Sequence, residues 1–221
     1  MTVRKDGLET RHRIITAAAN IFAEHGFHET THAAICEQAD VNTAAINYHF
    51  GSKADLYVET WKHLEAQADL THPMDGGVSS GASAEERLRG RIYGLVSRIS
   101  DRGRMGAIHA LRVKEMANPT GLLDETMDAM HRRNHDDTIG VLLEMIGPEA
   151  TDLELNLCER SIMGQCFMMR PPRGPKDTGI SPCSPADIAE HIYRFSMAGI
   201  REMCMGSGDA ESKAADDSES N

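Results

Sequence analysis

Apolar residues recur at intervals of three and four along almost the whole chain, and this spacing constrains the fold more than any other feature. In the first periodic segment, residues 8–24, the apolar positions are Ile14, Ile15, Ala18, Ile21 and Phe22. This spacing places an apolar face along an α-helix. The sequence has no run of alternating apolar and polar residues of the kind that a half-buried strand shows. The sequence therefore predicts an all-α protein.

Composition narrows the class of protein. The chain has 221 residues, of which 40% are hydrophobic, enough for a buried core in one or two domains. It has no apolar run of the roughly 18 residues that a transmembrane helix needs, and no signal-peptide pattern follows its charged N-terminus. Its five cysteines are odd in number and lack paired-ligand spacing, as expected for reduced thiols. We therefore expect a cytoplasmic protein without a membrane partner, a metal or another cofactor.

Breaks in the helical periodicity divide the chain into four parts. Residues 1–52 contain three short periodic segments, and residues 53–69 form one long connecting helix. A Gly/Ser linker, residues 73–84, lies near the start of a second helical domain predicted over residues 70–205. Residues 206–221 hold one lysine and five acidic residues, part of a net charge of -11 for the chain, and we expect a disordered tail there.

The N-terminal part has the pattern of a helix-turn-helix unit. Thr30 or Thr31 can cap a short helix, and Asp40 ends it. Asn42 or Thr43 can cap a second short helix, which extends to residue 49. Two short helices joined by a tight turn and followed by a long helix are typical of DNA-binding units.

The segment 26–56 resembles the DNA-binding domain of the TetR family of bacterial repressors. Asp40 stands where the family has a turn glycine, and Asn47 stands where it usually has a tyrosine, with Tyr48 one place later. The resemblance implies a three-helix domain whose third helix enters the major groove. The positions that carry the resemblance are Gly26, Phe27, Thr30 or Thr31, Ile35, Ala39, Val41, Ile46, His49, Phe50, Ser52, Lys53 and Leu56.

The chemistry of the third helix fits that role. Asparagine can bind adenine through two hydrogen bonds, and threonine or alanine can contact a thymine methyl group. Lys53, at the start of the next helix, is predicted to hold a phosphate together with the free backbone N–H groups. His49 and Phe50 are predicted to pack beneath the helix. The predicted DNA-binding residues are Thr31, Asn42, Thr43, Ala44, Asn47, Tyr48 and Lys53.

The second domain is similar to the C-terminal domain of CecR-like TetR regulators over residues 112–124, 161–168 and 188–200. This resemblance implies effector binding and dimerisation. The chain has 13 methionines, whose flexible thioethers adapt to apolar ligands, so we expect a small, largely apolar effector that releases the protein from DNA. His109 and Arg112 are candidates for fixing a polar head group. The predicted effector-binding residues are Trp61, Leu64, Ile108, His109, Arg112, Met116 and Met163.

A homodimer is expected on two grounds. One short recognition helix on an acidic domain binds DNA weakly, whereas two half-sites combine their affinities. The last two helices, predicted over residues 152–169 and 186–205, also carry broad apolar faces with small residues at Gly164, Ala198 and Gly199. Packing of this pair against its copy would form a four-helix interface.

Other readings of the sequence give different functions. The acidic balance of residues 1–65 favours a regulator that acts by protein contact, with a degenerate DNA-binding domain. His131 and His135, four residues apart, suggest a metal sensor. Cys158 and Cys166 suggest a thiol sensor, but two helical turns, ~12 Å, separate them. An enzyme is not expected, because the sequence has no Gly-rich phosphate loop, nucleophile elbow or paired-carboxylate pattern.

Overall fold

The computed structural model describes residues 2–101, 106–169 and 183–218, with side chains from residue 6 to residue 204 within these ranges. The described residues form helices and no strands, which confirms the all-α prediction. The prolines from Pro171 to Pro185 predict a loop, of which residues 170–182 lie outside the described residues. In chain order the helices are α1 (Thr2–Glu29), α2 (His32–Ala39), α3 (Thr43–Phe50), α4 (Lys53–Thr71), α5 (Ala84–Ser100), α6 (Gly106–Ala117), α7 (Asp124–Ile146), α8 (Asp152–Met168) and α9 (Pro185–Ser218).

The chain forms two compact units. The first unit comprises Met1–Thr71 and Asp101–Ala129, and the second comprises His72–Ser100 and Met130–Asn221. The first unit thus contains α6 in addition to α1–α4, because α6 packs against α1 and α4. The end of α4 at Thr71 lies close to the boundary that the sequence predicts at residue 70. The assignment of residues 70–205 to effector binding stays a prediction.

The core of the first unit is built around α1. Gly26 has φ 76° and ψ 179°, outside the helical region, so the regular helix is interrupted at the glycine, where the sequence predicts its end, and a last short piece of α1 follows to Glu29. Aromatic rings of α1 and α4 meet inside the core, with the Phe22 and Tyr57 centroids 4.8 Å apart. The largest fully buried side chains here are Ile14, Phe22, Ile35, Ile46, Leu56, Tyr57, Trp61, Leu111 and Leu123.

The second unit has its own core, formed by α5, α8, α9 and the later part of α7. Three of these helices begin with reciprocal hydrogen bonds between a Ser or Thr and the acidic residue three positions later. The hydroxyl accepts the backbone N–H of the acidic residue, and the carboxylate accepts the backbone N–H of the Ser or Thr. These capping pairs are Ser83 with Glu86, Thr151 with Glu154 and Ser184 with Asp187.

The predicted Gly/Ser linker is packed against α5. Gly90 and Gly94, one turn apart on α5, lie beneath it. A Cβ at Gly90 would lie 2.3 Å from the carbonyl oxygen of Asp75, and one at Gly94 would lie 2.4 Å from that of Pro73. These distances are too short for any side chain, so the two glycines permit the close approach of the segment to the helix.

Helix α9 extends into the acidic tail, whose expected disorder stays a prediction. Helix α9 continues to Ser218 and includes most of residues 206–221. The segment contains no proline, and its Ala, Glu and Lys residues at positions 210–215 are good helix formers. Among the helices that the structure describes, none combines the length and apolar character needed to span a bilayer.

Candidate DNA-binding surface and effector residues

The turn between α2 and α3 is stabilised locally. The Thr31 hydroxyl accepts the backbone N–H of Ala34 at 3.2 Å and caps α2. Asp40 has φ 51° and ψ 56°, the left-handed conformation that the turn requires, so an aspartate replaces the family's glycine as predicted. The side-chain oxygen of Asn42 accepts the backbone N–H of Ala45 at 3.0 Å and caps α3.

Helix α3 has one buried and one exposed face. Ile46 and Phe50 are buried in the core of the first unit, and the Phe50 ring also lies 5.0 Å from the Arg11 guanidinium. Phe50 thus packs as predicted, and His49 is half-buried. The opposite face is exposed and carries no formal charge, and Tyr48 has 85% of its surface accessible. We call this exposed face of α3 the recognition face; its residues are Thr43, Ala44, Asn47 and Tyr48.

Lys53, which the sequence predicts to hold a phosphate, is hydrogen-bonded within the first unit. Its Nζ donates to the carbonyl oxygens of Phe27 at 3.0 Å and Thr30 at 2.9 Å. The ammonium also lies 4.3 Å from the centroid of the Phe27 ring. Two of its three N–H bonds are therefore directed at backbone carbonyls between α1 and α2, and Lys53 acts as an internal brace.

Four of the predicted effector-binding residues lie together in the first unit. Trp61, Leu64 and Ile108 are buried in its core. The Arg112 guanidinium lies 5.8 Å from the Trp61 ring centroid and 3.6 Å from Glu65 Oε1. The indole N–H of Trp61 is buried and has no hydrogen-bond acceptor among the described residues. Such an N–H is rare in folded proteins and indicates a place for a water molecule or a ligand oxygen.

The other three predicted effector residues are less buried, and one of them belongs to the second unit. His109 is half-buried, whereas Met116 is 71% exposed because it lies on the outer face of α6. Met163 belongs to the second unit. The first unit alone therefore does not hold all seven residues, and their common role in effector binding stays a prediction.

Met163 lines a small cavity inside the second unit. The cavity has a volume of about 20 Å³, room for one water molecule. Arg91 lies at its wall and donates to Thr138 Oγ1 at 3.0 Å and to the Asn134 carbonyl oxygen at 2.8 Å. Burial lowers the pKa of the Arg91 guanidinium, and Asp137 at 3.6 Å opposes this effect. The polar wall of this cavity had no recognisable signal in the sequence.

A buried carboxylate links three segments of the first unit. Glu115 is 4% exposed and accepts a hydrogen bond from the Tyr57 hydroxyl at 2.7 Å. Its other oxygen accepts the backbone N–H and the hydroxyl of Thr120, both at 2.8 Å. Burial and the Glu115 carboxylate raise the pKa of Tyr57 well above its ordinary value. The signal in the sequence was a glutamate at the helical spacing of the buried Ile108 and Leu111.

The predicted dimer residues lie on the outer faces of α8 and α9. Gly164, Ala198 and Gly199 are exposed, and a Cβ at either glycine would meet no atom within 4 Å. Large apolar side chains are exposed on the same two helices. These exposed side chains are Leu153, Leu157, Phe167, Met168 and Phe195.

His135, Cys158 and Cys166, which suggested a metal sensor or a thiol sensor, belong to the second unit. His135 Nδ1 lies 2.7 Å from Glu159 Oε2, a hydrogen-bonding contact between α7 and α8. No group of three His, Cys, Asp or Glu residues in the described ranges is placed to hold a metal ion. Cys166 is buried, and desolvation raises the pKa of its thiol to about 12; burial also raises the pKa of Cys158. Neither thiol is activated for redox chemistry.

An exposed, capped third helix on a three-helix core, followed by a long helix, defines a helix-turn-helix regulator. Family comparisons agree. Residues 14–60 match the family described as bacterial regulatory proteins, tetR family. Residues 84–200, more than half of the chain, match the family described as the C-terminal domain of the HTH-type transcriptional dual regulator CecR. The chain belongs to the TetR family of transcriptional regulators, with a C-terminal part of the CecR type.

Individual relatives are similar over shorter segments. The chain is 37% identical over 76 residues to the transcriptional regulator HbdR of Aromatoleum sp. (strain CIB), covering 30% of this chain and 33% of that protein. It is 45% identical over 58 residues to CecR of Shigella flexneri, covering 26% and 25%. The matches thus span about a third or less of these relatives. The relatives are transcription regulators, in agreement with the expectation that the chain is not an enzyme.

Solved structures share the fold. A TetR-like transcriptional regulator from Rhodococcus sp. RHA1 has a TM-score of 0.64 at 16% identity, covering 87% of this chain and 96% of that one. AibR, solved in complex with isovaleryl coenzyme A and operator DNA, has a TM-score of 0.62 at 17% identity, covering 83% and 96%. These likenesses confirm the predicted arrangement of an N-terminal helix-turn-helix domain and a helical C-terminal domain.

Proposed function

We propose that the chain is a homodimeric repressor that binds operator DNA through α3 and is released by a small, largely apolar effector. The recognition face of α3 carries this proposal. Its side chains are exposed, short or planar, and without formal charge, so they can approach base edges closely. Caps at Thr31 and Asn42 hold α2 and α3 in place, and the buried Phe50 anchors α3 to the core.

Because the chain is acidic, the proposed binding to operator DNA depends on two copies of the recognition face. Arg11 is paired with Glu59 at 2.8 Å, and two of the three Lys53 N–H bonds are directed at backbone carbonyls, so both cations are already engaged within the chain. One copy of this surface would therefore bind DNA weakly. Two copies in a dimer, with half-sites one DNA turn or ~34 Å apart, would combine their affinities.

The exposed apolar stripe of α8 and α9 supports the dimer. Leu153, Leu157, Gly164 and Met168 follow one another at intervals of four, seven and four, which places them on one side of α8. Phe195 and Gly199 share a face of α9, next to Ala198. Apolar side chains exposed in a row mark a protein contact, and a twofold axis would bury them against their own copies.

The effector is proposed to bind at Trp61. Its buried N–H without an acceptor fits an apolar molecule that carries one acceptor oxygen, and Leu64 and Ile108 supply apolar surroundings in the same core. Arg112, next to the Trp61 ring, is a second polar group for a head group. AibR, a structural neighbour, was solved with an acyl coenzyme A, which is consistent with an effector of mixed apolar and polar character.

Operator binding tests the function directly. Fluorescence anisotropy with labelled DNA from the region flanking its own gene should show saturable binding that an unrelated DNA of equal length does not compete for. The variant Asn47→Ala with Tyr48→Ala should lose this binding. A control double variant on α4, Lys62→Ala with Gln67→Ala, should retain it, because neither residue belongs to the recognition face. A folded wild-type dimer without preference for any flanking DNA would instead favour regulation by protein contact.

The same samples test effector release. Trp61 is the only tryptophan, so its fluorescence reports directly on the proposed binding site. A panel of apolar amphiphiles should contain molecules that change this fluorescence and, at the same concentrations, dissociate the operator. Ligands that change the fluorescence but leave the operator bound would contradict a role as effectors.

A further inference from the structure

We propose that Tyr57 and Glu115 are positioning residues for operator recognition, because their hydrogen bond sets the orientation in which α4 holds α3. The inference rests on the proposed function, DNA binding by a homodimer. Both side chains are buried, Tyr57 at 0% and Glu115 at 4% exposure, so neither can touch DNA itself. Any effect of the pair on operator affinity must therefore act through the placement of helices.

The chemistry of Glu115 makes this arrangement specific. A carboxylate in an apolar core needs its hydrogen-bond donors, since a donor that is lost leaves the desolvation of the carboxylate uncompensated. Its donors come from α4, through Tyr57, and from the turn after α6, through Thr120. An apolar contact tolerates sliding, whereas the 2.7 Å hydrogen bond from Tyr57 to Glu115 favours one register of α4 against α6. The two 2.8 Å hydrogen bonds from Thr120 hold the Glu115 carboxylate in place for it.

Ring contacts connect Tyr57 to the start of α4. The Tyr57 and Phe27 centroids are 5.1 Å apart, and the Phe27 ring carries the Lys53 ammonium at 4.3 Å. Lys53 is the first residue of α4, and only Gly51 and Ser52 separate it from α3. A rotation of α4 at Tyr57 would therefore also move the last turn of α3.

In a dimer, such a rotation changes the distance between the two recognition helices. Because the half-sites have a fixed spacing of about one DNA turn, the dimer binds best when α4 is held at one angle. The Tyr57–Glu115 hydrogen bond should thus increase affinity for the correctly spaced operator and discrimination against other spacings. A residue that only stabilised the core would change neither the operator affinity nor the spacing preference of the folded protein.

The test uses Tyr57→Phe, which removes one hydroxyl and keeps the ring. Affinity is measured for the operator and for versions with one base pair added or deleted between the half-sites, at a temperature where all variants are folded. We expect about fivefold weaker binding to the natural spacing, equivalent to about 1 kcal/mol, and a smaller penalty for the altered spacings. The glutamine of Glu115→Gln can still accept a hydrogen bond from Tyr57. The operator affinity of this variant should therefore lie between the affinities of Tyr57→Phe and the wild type.

Tyr93→Phe is the matched control, since the Tyr93 hydroxyl donates to Glu190 at 2.8 Å in the second unit. It should leave affinity and spacing preference unchanged. Folded Tyr57→Phe with the affinity and spacing preference of the wild type overturns the positioning role. Wild-type protein that binds no operator is a different result, because it refutes the proposed function before any variant is compared.

Discussion

The Nζ of Lys53 lies 2.9 Å from the carbonyl oxygen of Thr30, which ties the first residue of α4 to the segment that leads into α2. A second hydrogen bond of 3.0 Å to the Phe27 carbonyl ties it to the end of α1. These carbonyls lie near the C-terminal end of α1, where a cation is favoured by the helix dipole. Lys53 thus joins three helices of the DNA-binding part at one point.

This geometry predicts that Lys53→Met destabilises the fold without removing a phosphate contact. The methionine keeps the apolar stem but loses two charged hydrogen bonds, which should lower the free energy of unfolding by about 1–3 kcal/mol. The slope of operator affinity against salt concentration should stay that of the wild type. A slope reduced by about one unit, with unchanged stability, would show that Lys53 binds a phosphate after all.

Asn47 is predicted to read a base. Its side chain is exposed one turn into α3, and an asparagine that binds adenine through two hydrogen bonds discriminates by ~1–3 kcal/mol. Asn47→Ala should therefore lose its preference at one base-pair position and keep it at the others. Affinities for operators with single base-pair changes measure this, with Tyr48→Phe as a comparison on the same face. Equal weakening on every operator would contradict base reading by Asn47.

The helix-turn-helix unit could be predicted from the sequence because local residues determine it. The caps at Thr31 and Asn42 act within three residues, and the left-handed conformation of Asp40 depends only on its own backbone. Phe50, predicted to pack beneath α3, is buried there together with Ile46. Such features follow from residues that are neighbours in the chain.

The effector residues were harder to predict because their surroundings depend on which helices pack together. Periodicity marks Met116 as one of several apolar residues on α6, but it does not reveal that α6 packs on α1 and α4 and leaves Met116 exposed. The contacts of Lys53 could not be predicted either, because its partners Phe27 and Thr30 lie more than twenty residues earlier in the chain. Glu115 has the helical spacing of buried residues, but its partner Tyr57 lies 58 positions away, so the pairing itself could not be predicted.

The capping pair at the start of α8 predicts a pH-dependent contribution to stability. Hydrogen bonds from Thr151 hold the pKa of Glu154 below its ordinary value of 4.5. Because the folded pKa is depressed, the stabilisation is present above pH 4.5 and is lost as the pH falls through the folded value. Glu154→Gln should therefore be less stable than the wild type at neutral pH and equal to it in acid.

Thermal unfolding of both proteins from neutral to acidic pH measures this difference. The exposed Glu149, which precedes the helix, provides a comparison as Glu149→Gln. A difference between wild type and Glu154→Gln that persisted unchanged in acid would mean that the carboxylate charge is not what stabilises α8.

Gly199 gives a sharp test of the proposed dimer. A Cβ at this position meets no atom within 4 Å, so the chain itself has room for a side chain on this face of α9. Gly199→Ala should fold and gain up to about 1 kcal/mol of stability from helix propensity. Gly199→Arg should fold as well, but it would place an unpaired charge between closely packed helices, which costs several kcal/mol when buried. Sedimentation velocity should therefore show a dimer for Gly199→Ala and a folded monomer for Gly199→Arg, and a dimer formed by both would place the interface elsewhere.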